Sequence, residues 1–237
     1  AFVFIGAVMK ETRTIVTPTG VAGLKFIDEA DAINASVKQL KRQGVKTIIV
    51  TIHQGTGQTS YTGPTDPEVL PPSGPIANIV KRLDSEVDVV MSGHAHGFTN
   101  ALVPNDAGKQ ILMTQAFSAS TAYGDIDLAI SRKSGDVVEK SAAIVTTWGD
   151  EGPGLVPDVR VAELVAQADE RVAPLVNRLL GTVTTALTRT ESSAGESSLG
   201  NLIADAQRVT TDAEFAFMNP GGIRADLAAG EVTWGGL

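Results

Sequence analysis

Val45-Lys46-Thr47-Ile48-Ile49-Val50-Thr51-Ile52-His53 is the stretch on which the fold turns. Residues 45–52 form a largely β-branched run, the composition of a strand buried on both faces. A histidine stands at its end. Upstream, Ala30, Ile33, Val37 and Leu40 recur at helical spacing across residues 28–42, and Gly44 supplies a stop. Before that helix, residues 2–8 are a further apolar run that reads as a strand. Downstream the same alternation returns, with a helix pattern near residues 76–83 and a strand near residues 87–91. Strands alternating with helices predict an α/β layer in which helices cover a sheet.

The bulk properties are those of globular material. At 237 residues, 43% hydrophobic and 19% charged, the chain has enough apolar content for one large domain or two small ones. A formal charge of -8 and a pI near 4.9 argue against a polymeric nucleic-acid partner, which demands a basic surface. Small anionic substrates stay compatible with it, because a metal or a few arginines reverse the field locally. With no cysteine there is neither a disulfide framework nor a thiolate metal site. No run approaches the roughly 18 apolar residues of a membrane span, and both ends of the chain read as cuts.

Residues 55–75, rich in Gly, Thr, Ser and Pro, are long for a connection within a compact domain, and such loops are usually functional or disordered. From residue 101 to 147 the pattern becomes short runs, 110–115, 126–131 and 137–145, separated by turn signals, which predicts an antiparallel group finishing the sheet. Gly152-Pro153-Gly154, within residues 149–158, marks the best linker, dividing the chain into residues 1–153 and 154–237. Beyond it, Val161, Leu164, Ala168, Val172, Leu175 and Leu179 step by three and four along a helix expected to end at Gly181, with a kink or early stop at Pro174. A strand over 182–187, a helix over 199–209 and a strand over 214–218 complete a small second α/β unit.

The chain has three histidines, and all sit at strand ends. His53 follows the first buried run; His94 and His96 follow the second, in Ser92-Gly93-His94-Ala95-His96-Gly97. Open α/β sheets bind ligands outside the carboxyl ends of their strands, and imidazole is a common ligand of Zn, Mn, Fe or Co. A lone histidine is usually a surface or hydrogen-bonded group; three delivered to one sheet edge are better metal-ligand candidates. A two-metal site also needs a bridging carboxylate. Asp84, Glu86 and Asp88 fall at the wrong end of the second strand, and Asp66 and Glu68 lie in the long loop, so the ligand set is incomplete.

Val50-Thr51-Ile52-His53-Gln54-Gly55 followed by Asp88-Val89-Val90-Met91-Ser92-Gly93-His94-Ala95-His96 resembles the latter half of the metallophosphoesterase domain of bacterial 5'-nucleotidases. Residues 196–206, Glu196 to Ala206, and Met218-Asn219-Pro220-Gly221-Gly222-Ile223-Arg224 resemble the start of that family's C-terminal, nucleotide-recognising domain. The resemblance implies that His53 and His94 bind one ion of a divalent pair, Zn, Mn or similar, and His96 the other. It implies that Asn219 contacts the base and Arg224 the phosphate of a nucleotide, and that the parent protein is secreted or periplasmic. The family's D-x-H element, bridging aspartate and catalytic asparagine-histidine pair would precede Ala1, and its paired base-clamping aromatics would follow Leu237. Ser198 replaces an arginine found in some relatives. No catalytic residue is therefore assigned, and this stretch alone is expected to be inactive, its histidine site empty or holding one weakly bound ion. A 2',3'-cyclic nucleotide phosphodiesterase, a nucleotide-sugar hydrolase and a non-catalytic nucleotide-binding module stay open as alternatives. Taken without the resemblance, Asn219-Pro220-Gly221-Gly222 is a structural turn, Arg224 a surface charge, and Ser197 or Ser198 a helix cap.

Overall fold

The computed structural model describes residues 2–149 and 156–237. The chain divides into two compact units, Ala1–Leu155 and Val156–Leu237. The Gly152-Pro153-Gly154 junction, where the sequence places the boundary, lies outside the described residues.

The first unit is an α/β layer built on a five-stranded sheet in the order β1-β2-β3-β5-β4. Its strands are β1 (Phe2–Val8), β2 (Thr47–His53), β3 (Val87–Ser92), β4 (Phe98–Pro104) and β5 (Gln110–Ala116). Strands β1, β2, β3 and β5 run parallel, and β4 closes one edge antiparallel to β5. After a single turn of helix, α1 (Thr12–Ile15), come the two helices that cover one face, α2 (Glu29–Arg42) and α3 (Pro75–Lys81). The Asp28 carboxylate caps α2 by accepting the Asp31 amide at 3.1 Å, and α2 stops at Gln43 before Gly44, whose φ of +77° suits glycine.

The alternation along β2 shows why this run is apolar throughout. Ile48, Val50 and Ile52 pack with Ile33 and Val37 of α2 and Ile76 and Val80 of α3, whereas Ile49 packs on the opposite face with Val89 and Leu112. That second face is covered by a hairpin of β6 (Ala122–Ile130) and β7 (Val137–Thr146), which contributes Ala142, Ile126 and Leu128. The strand is therefore buried on both faces, as its composition predicts.

Two expectations need correction here. Residues 101–147 do not simply extend the sheet: β5 is parallel to β3, β4 begins at Phe98, and β6–β7 form a separate two-stranded sheet stacked on the face. Alternating runs identify strands but not which edge or layer they join. The long loop after β2 is also pinned in place: Pro64 bridges Ala143, and the Thr65 hydroxyl donates to the Asn100 side chain at 2.6 Å while accepting the Ala142 amide at 2.7 Å.

The second unit opens with α4 (Val159–Val176), capped by Asp158, whose carboxylate accepts the amides of Arg160 and Val161. The helix runs through Pro174 and ends two residues after it, short of the expected Gly181, where the following residues join β8 (Leu179–Val183). Antiparallel to β8 runs β9 (Gly230–Thr233), and between them lies α5 (Ser198–Thr211). Leu199, Ile223, Leu227 and Val232 form the small core. Residues 214–218 are not a strand: among the described residues no strand pairs with them, and Phe215 and Phe217 are 77% and 89% exposed. β-propensity without a ladder partner does not make a strand.

Candidate metal-ligand site

His53 is the last residue of β2, paired across β1 with Val8, one position later in the strand than the sequence suggests. β3 lies parallel beside it in the register Ile52 opposite Ser92, so the turn Gly93–Gly97 leaves the same sheet edge next to His53. The result is a direct approach of two imidazoles. His94 Nδ1 lies 3.1 Å from His53 Nε2, with ring centroids 4.9 Å apart and planes at 70°. Both rings are exposed.

The turn that delivers His94 is strained. His94 and His96 have φ of +72° and +49°, left-handed conformations that few side-chain-bearing residues adopt without outside support. His96 does not join the pair in a group placed to hold an ion among the described residues. Its ring instead lies beside Phe117, centroids 6.4 Å apart, at the end of a stack in which Phe117 lies over Phe98 at 5.1 Å and Phe98 over Tyr61 at 4.5 Å.

Two ligand nitrogens on one tetrahedral ion at Zn–N distances of 2.0–2.1 Å stand roughly 3.3 Å apart. The His53–His94 pair fits that separation without moving. The same 3.1 Å is also a hydrogen-bonding distance, with the donor set by the tautomer of each ring. Among the described residues, no group of three or more His, Cys, Asp or Glu side chains is placed to hold an ion. The pair thus supplies two nitrogen ligands and no charge.

The acids near these strands are engaged elsewhere. Asp84 pairs with Lys41 at 2.9 Å and Glu86 with Lys46 at 3.0 Å. Asp88, buried in β3, faces Lys109 at 3.2 Å and Lys140 at 3.9 Å and accepts the Ile48 amide. Burial raises the Asp88 pKa above the usual carboxylate range despite both lysines. Burial, with Lys109 nearby, lowers that of Lys140 to about 8. Asp66 closes its own turn on the Glu68 amide.

In the second unit, the Asn219 side chain accepts the Gly221 amide at 3.2 Å, capping the short turn Pro220–Gly222. Arg224 is exposed, and its carbonyl accepts a bond from Arg189. Beside the N-terminus of α5, where Ser197 accepts the Gly200 amide, a cavity of about 330 Å³ is lined by Glu196, Ser197, Asn201, Met218 and Pro220, among others, but by neither Asn219 nor Arg224.

One residue near the histidines carries no sequence signal of its own. Gln115, at the end of β5, is 2% exposed and reaches both histidine-bearing turns. Only the sheet order, which sets β5 beside β3, brings it there.

Comparison with known proteins places these features in context. Residues 179–237 match the profile of the 5'-nucleotidase C-terminal domain. Over 234 residues the chain is 34% identical to endonuclease YhcR of Bacillus subtilis, covering 99% of this chain and 18% of that protein. It is 28% identical to the cell wall protein Lmo0130 of Listeria monocytogenes, covering 98% of this chain and 31% of that protein. A 5'-nucleotidase precursor from Thermus thermophilus shares the fold at a TM-score of 0.62 and 22% identity, over 90% of this chain and 41% of its own. The chain thus spans less than half the length of each of these proteins.

Proposed function

We propose that this chain, whose residues 179–237 match the 5'-nucleotidase C-terminal domain, is part of a protein that hydrolyses phosphate esters of nucleotides with two divalent metal ions. The observation that carries the reading is the 3.1 Å approach of His94 Nδ1 to His53 Nε2 at the carboxyl ends of two parallel strands. In this proposal residues 1–153 are the latter part of the metallophosphoesterase domain and residues 154–237 the start of the nucleotide-recognition domain. His53 and His94 are ligands of one ion, and His96, after rotation off Phe117, of the other. Asn219 and Arg224 meet the nucleotide.

Bound divalent ions supply Lewis-acid polarisation of the phosphoryl group and a nucleophile at neutral pH. The work of this chain is to hold its imidazoles in place. His53 is fixed by the β2 ladder and His94 by its left-handed turn, so ligation asks little reorganisation of either. With no carboxylate beside the pair among the described residues, the chain by itself binds a single ion weakly and turns nothing over. The net charge of -8 favours mononucleotides over a polymer. The relative named as a cell wall protein and the precursor form of the Thermus protein support a secreted or periplasmic parent, and no helix among the described residues is long and apolar enough to cross a membrane.

The test uses the full-length gene product with Mn²⁺ or Co²⁺, offered AMP, 2',3'-cyclic AMP and a nucleotide sugar. The expected result is hydrolysis of AMP that His94→Ala reduces by about 100-fold or more, the scale on which loss of a catalytic-site group acts. Activity indifferent to that substitution overturns the reading, and hydrolysis confined to one of the other two esters reassigns the substrate.

A further inference from the structure

We propose that Gln115 is the positioning residue that sets the spacing of His53 and His94, by tying the two turns that carry them to β5. The inference rests on the metal-site reading above, and goes beyond it to a residue that touches neither ion nor substrate.

The geometry begins with one buried carboxamide. Its Nε2 donates to the Thr56 carbonyl at 2.9 Å and to the Gly97 carbonyl at 2.8 Å. Thr56 lies three residues after His53, and Gly97 one residue after His96, so a single planar amide holds both turns. Both acceptors are carbonyls, which fixes the amide orientation: only the NH₂ end can face them. Oε1 is left at the other end, buried and without a hydrogen-bond partner. A buried carbonyl oxygen left unpaired costs about 1–3 kcal/mol, so this side chain is not the one that packing alone would favour.

The surrounding backbone is shaped to the amide. A Cβ on Gly55 would lie 1.8 Å from Gln115 Oε1 and 2.1 Å from the Gly93 carbonyl oxygen. A Cβ on Gly97 would lie 2.8 Å from both Gly57 Cα and the Thr56 carbonyl oxygen, and 3.1 Å from Gln115 Nε2. Each turn therefore places glycine where it meets Gln115, and the two turns pass too close for any side chain between them. The same acceptors take further donors, Phe117 N on Gly97 O at 3.0 Å and Thr99 Oγ1 on Thr56 O at 3.2 Å, so removing the amide leaves neither carbonyl unpaired. What is lost is the buried tie of both turns to β5, leaving the weaker direct links Gly93 N to Gln54 O at 3.4 Å and Thr99 Oγ1 to Thr56 O at 3.2 Å, with Gln58 N to Phe98 O at 2.8 Å beyond them. The left-handed residues His94 and His96 then lack one of the restraints that hold their strained conformation.

The experiment compares Gln115→Leu and Gln115→Glu with Val103→Ala, a buried core residue opposite Ile111 at the end of β4 away from the histidine turns. Two readouts are taken on the whole chain under conditions where each variant is folded: Co²⁺ affinity with its visible absorption band, and, without metal, the nuclear Overhauser effect between the His53 and His94 rings. Both Gln115 variants are expected to bind Co²⁺ at least tenfold more weakly and to lose the ring-to-ring effect. Val103→Ala is expected to lower thermal stability and keep both. Co²⁺ affinity within twofold of the unsubstituted chain and an intact ring-to-ring effect in Gln115→Leu overturn the proposal, as does equal loss in Val103→Ala. Should the unsubstituted chain bind no Co²⁺, the claim that this chain holds a single ion fails by itself, and the metal-free ring contact still decides the role of Gln115.

Discussion

His94 Nδ1 stands 3.1 Å from His53 Nε2 although the residues are 41 positions apart. Parallel pairing of β2 with β3 brings the two turns to one sheet edge, where His94 sits in a left-handed backbone conformation. Two consequences follow for ligand binding, because His96 leaves the same turn in a different direction.

In a Co²⁺ or Zn²⁺ titration of the chain, His53→Ala and His94→Ala are each expected to weaken binding at least tenfold. His96→Ala is expected to change it less than threefold, since its ring lies by Phe117 rather than by the pair. Equal losses for all three, measured by calorimetry, would place His96 in the first ion's site and show that the turn rearranges on binding.

The buried strand β2 and the cap of α5 were legible in sequence because each depends on local pattern, whereas the sequence grouped His53 with both His94 and His96 and did not show which of the two rings meets it. A β-branched run followed by histidine announces both a buried strand and what it presents at its end, and Ser197 before Leu199-Gly200 announces a helix start that the bond to the Gly200 amide realises. The layer made by β6–β7 and the absence of a strand at residues 214–218 were not legible, since partner choice is a long-range property. Gln115 is the sharpest case: glutamine at the end of an apolar strand has many fates, and only its position two strands from His53 gives it two carbonyls to hold.

Gly97→Ala is expected to destabilise the first unit by about 1–3 kcal/mol, the range for overpacking, because its Cβ would meet backbone atoms at 2.8 Å that have no side-chain freedom to yield. Gly20→Ala, with nothing within 4 Å of its Cβ, is the control and should shift stability by less than about 0.5 kcal/mol. Urea denaturation followed by far-UV circular dichroism separates the two. Indistinguishable midpoints would mean that the two turns part easily.

Asp28→Ala is expected to cost about 1 kcal/mol, the usual value of an N-cap, with a further loss from Arg82, whose guanidinium bonds both Asp28 oxygens at 2.9 and 2.7 Å. The Arg82 hydrogen bond, helped by the Asp31 amide, holds the Asp28 pKa below the ordinary carboxylate value. Its contribution is therefore present above the unfolded pKa and lost as pH falls through the lower folded one. Thermal melts at pH 7 and at about pH 3 should show the gap between Asp28→Ala and the unsubstituted chain narrowing at the acid end.

Lys140 gives the opposite sign. Burial, with Lys109 beside it, lowers its pKa from 10.5 to about 8, so between those values the unfolded chain holds a proton that the folded chain has released. Stability from this group rises with pH across that window, because a charged lysine is costly beside Lys109 in the half-closed space over Asp88, and the cost disappears once the amine is neutral. The full shift, in which the partial pairing with Asp88 at 3.9 Å is already counted, corresponds to an upper limit of about 3 kcal/mol. Lys140→Met removes the titrating group while Lys109 keeps its bond to Asp88 at 3.2 Å. Measured as the difference between the two proteins, Lys140→Met should be the more stable at pH 7 and lose that advantage steadily towards pH 10. An advantage that stays constant over this range would mean that Lys140 titrates normally and that solvent reaches it more freely than its 12% side-chain exposure indicates.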